Sequence, residues 1–168
     1  DGLEATTAET EEGIVPEWKY YRDQSLGTVT IPEGTCQIDR FAFSRSSVHT
    51  VIIPEGVTTI AYAAFYHCDD LKNVVIPDSV TSVGAKAFTH TGWLDDFERN
   101  STENFLISGG VLAAYKGDSA EVTIPDGVRV IADEVFKDHT EIQKVYLPAG
   151  IAATNSDIFP EGTEIINE

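Results

Sequence analysis

Two histidines, four carboxylates and two cysteines are the residues whose types and spacing could do chemistry in this chain. His67 and His90 each stand fourteen residues after an isoleucine, Ile53 and Ile76, so a repeated unit would set them side by side. Asp69 and Asp70 are close in sequence. A transition-metal centre needs about three or four converging ligands, and only two imidazoles are placed for it. Solvated loop histidines are therefore expected. Glu33, Glu55, Asp78 and Asp126 each follow a proline and form a second column. Calcium gathers about six to eight oxygens, more than a straight column on a turn supplies. The expectation is an acidic, solvated edge with no metal and no cofactor. Cys36 and Cys68 fall at different positions of their units, which favours two unpaired, half-buried thiols over a disulfide.

Nucleophilic catalysis finds no support. The serines lack a Gly-x-Ser-x-Gly elbow, and no Cys-His catalytic arrangement has local support. Gly109-Gly110 has neither the Lys-Ser/Thr ending of a phosphate-binding loop nor the third glycine of a dinucleotide fingerprint. A non-catalytic protein is expected.

The elements that must position these residues come from copying. Ile31 and Phe43, Ile53 and Phe65, Ile76 and Phe88, Ile124 and Phe136, and Leu147 and Phe159 are all twelve residues apart. Pro32, Pro54, Pro77, Pro125 and Pro148 follow the aliphatics at spacings of 22, 23, 48 and 23. A fixed period of this size is the signature of a solenoid. In the copy from Val51 to Asn73, alternating Val51-Ile52-Ile53 reads as a strand with two faces. Ile-Pro-Glu-Gly suits a type I turn with Pro second and Gly fourth. Val57 and Ile60 follow, then a compact helical or 3₁₀ segment around Ala63-Ala64-Phe65. Parallel pairing of equivalent strands about 4.8 Å apart would stack all five phenylalanines into one internal spine. Each ring buried there contributes roughly 1.5–3 kcal/mol.

Domain organisation follows from the same pattern. Residues 1–27 read as an acidic tail plus a capping segment, in which residues 14–27, with Trp18, Tyr20 and Tyr21, pair with the first strand and cover the end of the core. Residues 28–168 read as one repeat domain of units of about 23 residues. An irregular coil at 95–120 carries a tight hairpin around Gly109-Gly110. The chain starts on an acidic run and contains no Met, so it is expected to follow a removed leader or to belong to a longer protein. With 28 acidic against 11 basic residues and a net charge of −17, phosphate backbones and anionic lipid surfaces are repelled. No stretch approaches the ~18 apolar residues of a membrane span.

Residues 51–71, Val-Ile-Ile-Pro-Glu-Gly-Val-Thr-Thr-Ile through Ala-Phe-Tyr-His-Cys-Asp-Asp-Leu, resemble the BspA-like (Treponema pallidum-type) leucine-rich repeat. The resemblance covers roughly residues 28–165 and weakens at Ala152–Asp157. It implies a right-handed, β-rich leucine-rich-repeat solenoid with parallel strands and short helical or 3₁₀ segments. It also implies a bacterial cell-surface or secreted protein that binds proteins, host proteins among them, in adhesion. In such repeats the strand sheet lines the concave side where partners dock. The outward strand residues here are Thr30, Ile52, Val75, Thr123 and Tyr146, flanked by Thr28, Thr50, Asn73, Glu121 and Lys144. The first set is the candidate binding stripe, because it is more apolar than a solvated sheet requires. The other reading of the chain is a passive spacer that presents another domain.

Overall fold

The computed structural model describes residues 7–10, 13–16, 27–151 and 158–167. The repeat builds a solenoid whose coils present two rows of short strands and a wall of turns. The first row holds the parallel strands β3 (Thr28–Thr30), β5 (Thr50–Ile52) and β7 (Asn73–Val75). It resumes with β11 (Glu121–Thr123), β13 (Lys144–Leu147) and β14 (Glu164–Asn167), also parallel. The second row holds β4 (Gln37–Ile38), β6 (Thr59–Ile60) and β8 (Ser82–Val83). Equivalent residues of the copies pair in register, as in Val29 with Val51 and Val51 with Val74. The twelve-residue offset thus becomes a rule about the interior: the strand valines and the phenylalanines of the pattern are all buried.

Each proline turn begins one residue later than expected. The Thr35 N–H donates to Pro32 O at 3.3 Å, so Pro32 occupies the first position and Gly34 the third, with φ +86. A positive φ at the third position defines a type II turn and explains the glycine. Ser79 stands at the equivalent place without a positive φ. Its hydroxyl donates to Val57 O at 2.8 Å and accepts from Gly56 N–H at 3.0 Å, tying two coils together.

The segments around Phe43, Phe65, Phe88 and Phe136 are turns, not the expected helical or 3₁₀ pieces, whereas Ile158, before Phe159, is in a 3₁₀ segment. Phe41, Arg45, Ala63, His67, Lys86 and His90 are all left-handed, with φ between 54 and 63. Alternate N–H groups consequently point along the stack. Phe41, Phe43 and Arg45 donate to Tyr62, Ala64 and Tyr66 of the next coil, while Ala42, Ser44 and Ser46 bond locally, three residues back. A left-handed non-glycine residue costs of order 1 kcal/mol or more and persists only where surrounding contacts hold it. Here the inter-coil bonds do so.

The irregular coil contains an α-helix that periodicity did not reveal, α1 (Gly92–Asn100), followed by a hairpin of β9 (Phe105–Ser108) and β10 (Val111–Tyr115). Thr91 caps the helix: its buried hydroxyl accepts from Leu94 N–H at 3.2 Å and donates to Phe88 O at 2.8 Å. Lys116, just past β10, closes the other end by donating to Phe97 O at 2.8 Å and Ser101 O at 2.6 Å. A cation at a helix C-terminus also meets the negative end of the dipole. Beyond the hairpin, β12 (Val130–Ile131) pairs parallel with β10, so β10 fills the second strand row in place of a regular coil.

This coil supplies no phenylalanine to the outer wall, and the expected single spine is therefore two. Phe43, Phe65 and Phe88 stack at 5.1 and 5.4 Å. Phe88 then meets Trp93 edge-on, and a second column runs through Tyr115, Phe136 and Phe159. The core divides into two clusters accordingly, with Val135 packed against both.

The N-terminal residues also depart from expectation. β1 (Thr7–Thr10) and β2 (Gly13–Pro16) form their own antiparallel pair, so this part of the capping segment pairs with its neighbour and not with β3. Trp18, Tyr20, Tyr21 and Ala152–Asp157 lie outside the described residues.

Candidate functional site

The register of the first strand row decides which outward residues meet. Thr30 pairs with Ile52, and Ile52 with Val75. Thr123 pairs with Tyr146, and Tyr146 with Ile166, a residue the repeat alignment left out. The five expected stripe residues thus form two groups, one on each three-stranded sheet. Ser108 at the end of β9 lies beside the edge of the first group, its hydroxyl donating to Val74 O at 3.1 Å. Ile52 and Val75 are 41% and 58% exposed, large values for aliphatic side chains. Tyr146 is half-buried, with its hydroxyl 3.4 Å from Glu121 Oε2. Ile165 continues the inward column of Val122 and Val145 yet is 41% exposed, at the last strand of its sheet.

The histidine column does come together, in a form unsuited to chelation. The rings of His67 and His90 stack at 4.3 Å with 18° between planes. Ring nitrogens bind metals in the ring plane, and nearly parallel planes send those directions past a common point. His67 Nδ1 lies 3.4 Å from Asp69 Oδ1. Among the described residues no three His, Cys, Asp or Glu side chains gather as a metal site. In the acidic column Asp78 is engaged by Arg129, which donates to its carboxylate at 2.8 Å, to its carbonyl and to Gly109 O. That arginine fastens the hairpin turn to the third coil.

The cysteines are not equivalent, contrary to the expectation of two half-buried thiols. Cys36 is exposed and Cys68 is fully buried, both free. The Cys68 thiol donates to Phe43 O at 2.9 Å, and burial pushes its pKa above the usual thiol value.

The missing outer-wall turn leaves a feature that no sequence pattern announced. Between Lys86–Thr89 of the third coil and Asp133–His139 of the coil that follows the hairpin lies a cavity of about 410 Å³. Ala113 and Ala114 of β10 line it, with Leu94 and Glu98 of α1 at its side. Asp133 joins the two coils directly: its N–H donates to Val83 O at 2.9 Å. The residue is exposed, yet partial desolvation, the largest effect, raises its carboxyl above the ordinary aspartate value; the nearby Ala85 backbone opposes the rise and Glu134 adds to it. His139 turns its ring to Glu141 at 3.0 Å and to Tyr115 O at 3.1 Å. The only sequence signal for the cavity was the 48-residue gap between Pro77 and Pro125, which marks a coil that differs from the rest.

Stacked parallel strands, an aromatic spine and turn walls define a leucine-rich-repeat-type solenoid. The BspA type leucine rich repeat region matches residues 5–108 and 113–167 in six copies, and the chain belongs to that family. No curated protein sequence matches it. Among solved structures, the leucine-rich repeat protein of T. pallidum shares 21% identity, with a TM-score of 0.51, over 85% of this chain and 68% of that one. A leucine rich cell surface protein of Faecalibacterium prausnitzii is similar at 17% identity and a TM-score of 0.47, covering 96% of this chain and 39% of its own. A leucine-rich repeat protein of Bacteroides ovatus is similar at 18% identity and 0.44, over 89% and 47%. The chain spans less than half of the latter two.

Proposed function

We propose that this chain is a non-catalytic protein-binding module of a bacterial surface or secreted protein, acting in adhesion. The observation that carries the reading is the exposure of Ile52 and Val75 side by side on the first strand row. Exposed β-branched residues are common in strands, but two adjacent, widely exposed aliphatics on a protein of net charge −17 form a local apolar platform. Tyr146 and Ile166 offer a second one on the later strands. Thr30 and Thr123 form the polar borders of the two groups. Membership of a leucine-rich-repeat family supports a role in protein interaction, and the F. prausnitzii relative is described as a cell surface protein. Among the described residues no helix is long and apolar enough to cross a membrane.

The test is capture from extracellular-matrix and secreted host fractions on the immobilised chain, compared with the Ile52→Asp, Tyr146→Asp double variant. Capture should vanish in the variant while its melting temperature stays nearly unchanged, since both side chains face outward. Equal capture by both proteins sinks the reading. It would favour a spacer role, with which the division of the stripe into two groups also agrees.

A further inference from the structure

We propose that the notch left by the irregular coil is a subsite for a lysine or arginine side chain of a protein partner, an inference that rests on the protein-binding reading above. The notch exists because the chain from Gly92 to Ala120 supplies a helix and a hairpin but no outer-wall turn. Its volume of about 410 Å³ falls in the range of small-ligand sites, roughly 300–1,000 Å³. Its walls combine two kinds of surface. Phe88, Ala113, Ala114 and Val135 are apolar and suit the methylene stem of a long basic side chain, which packs on such surface while its head reaches polar groups.

The charges at its edge are unequal. Its lining includes the carboxylates of Asp133, Glu134, Asp138 and Glu98 and the ammonium groups of Lys86 and Lys137. Lys137 is already closed on Glu134 at 2.8 Å, so three carboxylates remain against one ammonium. Asp133 has no ion-pair partner among the described residues, and the residue is exposed at the notch. An incoming ammonium or guanidinium would pair with this carboxylate through a charge-assisted hydrogen bond. Acidic or phosphorylated partners would be repelled by the same groups. The complementarity thus selects a basic segment, and the net charge of −17 would steer one towards the protein.

The proposal is tested on the full 168-residue chain, ¹⁵N-labelled, with blocked tripeptides as probes: Ala-Lys-Ala, Ala-Arg-Ala, Ala-norleucine-Ala and Ala-Glu-Ala. The lysine or arginine peptide should shift the amides of Ala113, Ala114 and Asp133–Val135 saturably. Norleucine and glutamate peptides should bind about tenfold more weakly or not at all. Asp133→Asn, which keeps the shape of the side chain and removes its charge, should weaken the basic peptides about tenfold. Glu55→Gln, the same charge change on the turn column, should leave them unaffected. Ala113→Leu, which fills the notch, should also abolish binding. Shifts that follow the Glu33, Glu55, Asp78 and Asp126 column, equal affinity in Asp133→Asn, or no saturable shift in the millimolar range would each overturn the proposal. The Ile52→Asp, Tyr146→Asp protein should retain tripeptide binding because its substitutions lie on another wall. Failure of the notch and failure of the stripe therefore read out separately.

Discussion

Asp133, exposed and partly desolvated, and Cys68, fully buried, show how loss of solvent acts on single titratable groups in this molecule. The carboxyl pKa of Asp133 is raised in the folded state, above its unfolded value, so the folded protein holds that proton more tightly. Stability from this group is present at low pH and is lost as pH rises through the folded pKa; at neutral pH the charge is a burden. Asp133→Asn should raise the melting temperature at pH 7, and the gain should disappear below the ordinary aspartate pKa. A melting temperature lowered at pH 7 would contradict the desolvation account. If the notch binds a basic side chain, the same substitution gains stability and loses affinity, the familiar opposition at binding sites. For the thiols, a disulfide-exchange reagent should modify Cys36 alone in the native protein and both cysteines in denaturant. Cys68 is shielded by complete burial and by its raised pKa.

At the scale of elements, the hairpin is docked by a glycine that tolerates almost nothing else. A Cβ at Gly109 would lie 1.8 Å from the Ile76 carbonyl oxygen, which is backbone and has little room to yield, and the residue has φ +52. Gly109→Ala should cost more than about 2 kcal/mol by chemical denaturation. Gly127→Ala is the matched control: it also has a positive φ, but its Cβ meets nothing within 4 Å. That change should cost only about 1 kcal/mol. Equal losses would show that backbone conformation alone, not close approach, fixes the hairpin on the third coil. Gly92 serves the helix in the same way, since a Cβ there would lie 2.6 Å from Asp69 O.

Over the whole molecule, the divided aromatic column divides the core. In a solenoid, stability is close to a sum of units and nearest-neighbour interfaces, so a perturbation should weaken with distance and drop at a break. Phe65 is stacked on both sides, by Phe43 and Phe88. Phe65→Ala should therefore cost about 3–5 kcal/mol and reduce hydrogen-exchange protection in β3 to β8 more than in β11 to β14. Uniform loss across both sheets would mean that Val135, Asp133 and Arg129 couple the two halves into one cooperative unit despite the break.

The repeat told the solenoid, the parallel pairing and the inward residues directly, because copied spacing imposes copied environments. Val51, Ile53, Ile60 and Phe65 could be placed in the core from the alignment alone, and all are buried. The outward alternation of Ile52 and Val75 was legible for the same reason. The left-handed wall residues were not, since Phe41, Ala63 and Lys86 share no side-chain type that signals a positive φ. Nor was α1, whose Thr91 cap and Trp93–Phe97 spacing were overshadowed by the hairpin signal that follows. The break in the spine, the three-way anchoring of Arg129 and the notch beside Asp133 depend on how the one uncopied coil settles between its copied neighbours. A period predicts contacts only between equivalent positions. Where the period fails, tertiary packing alone decides which residues meet.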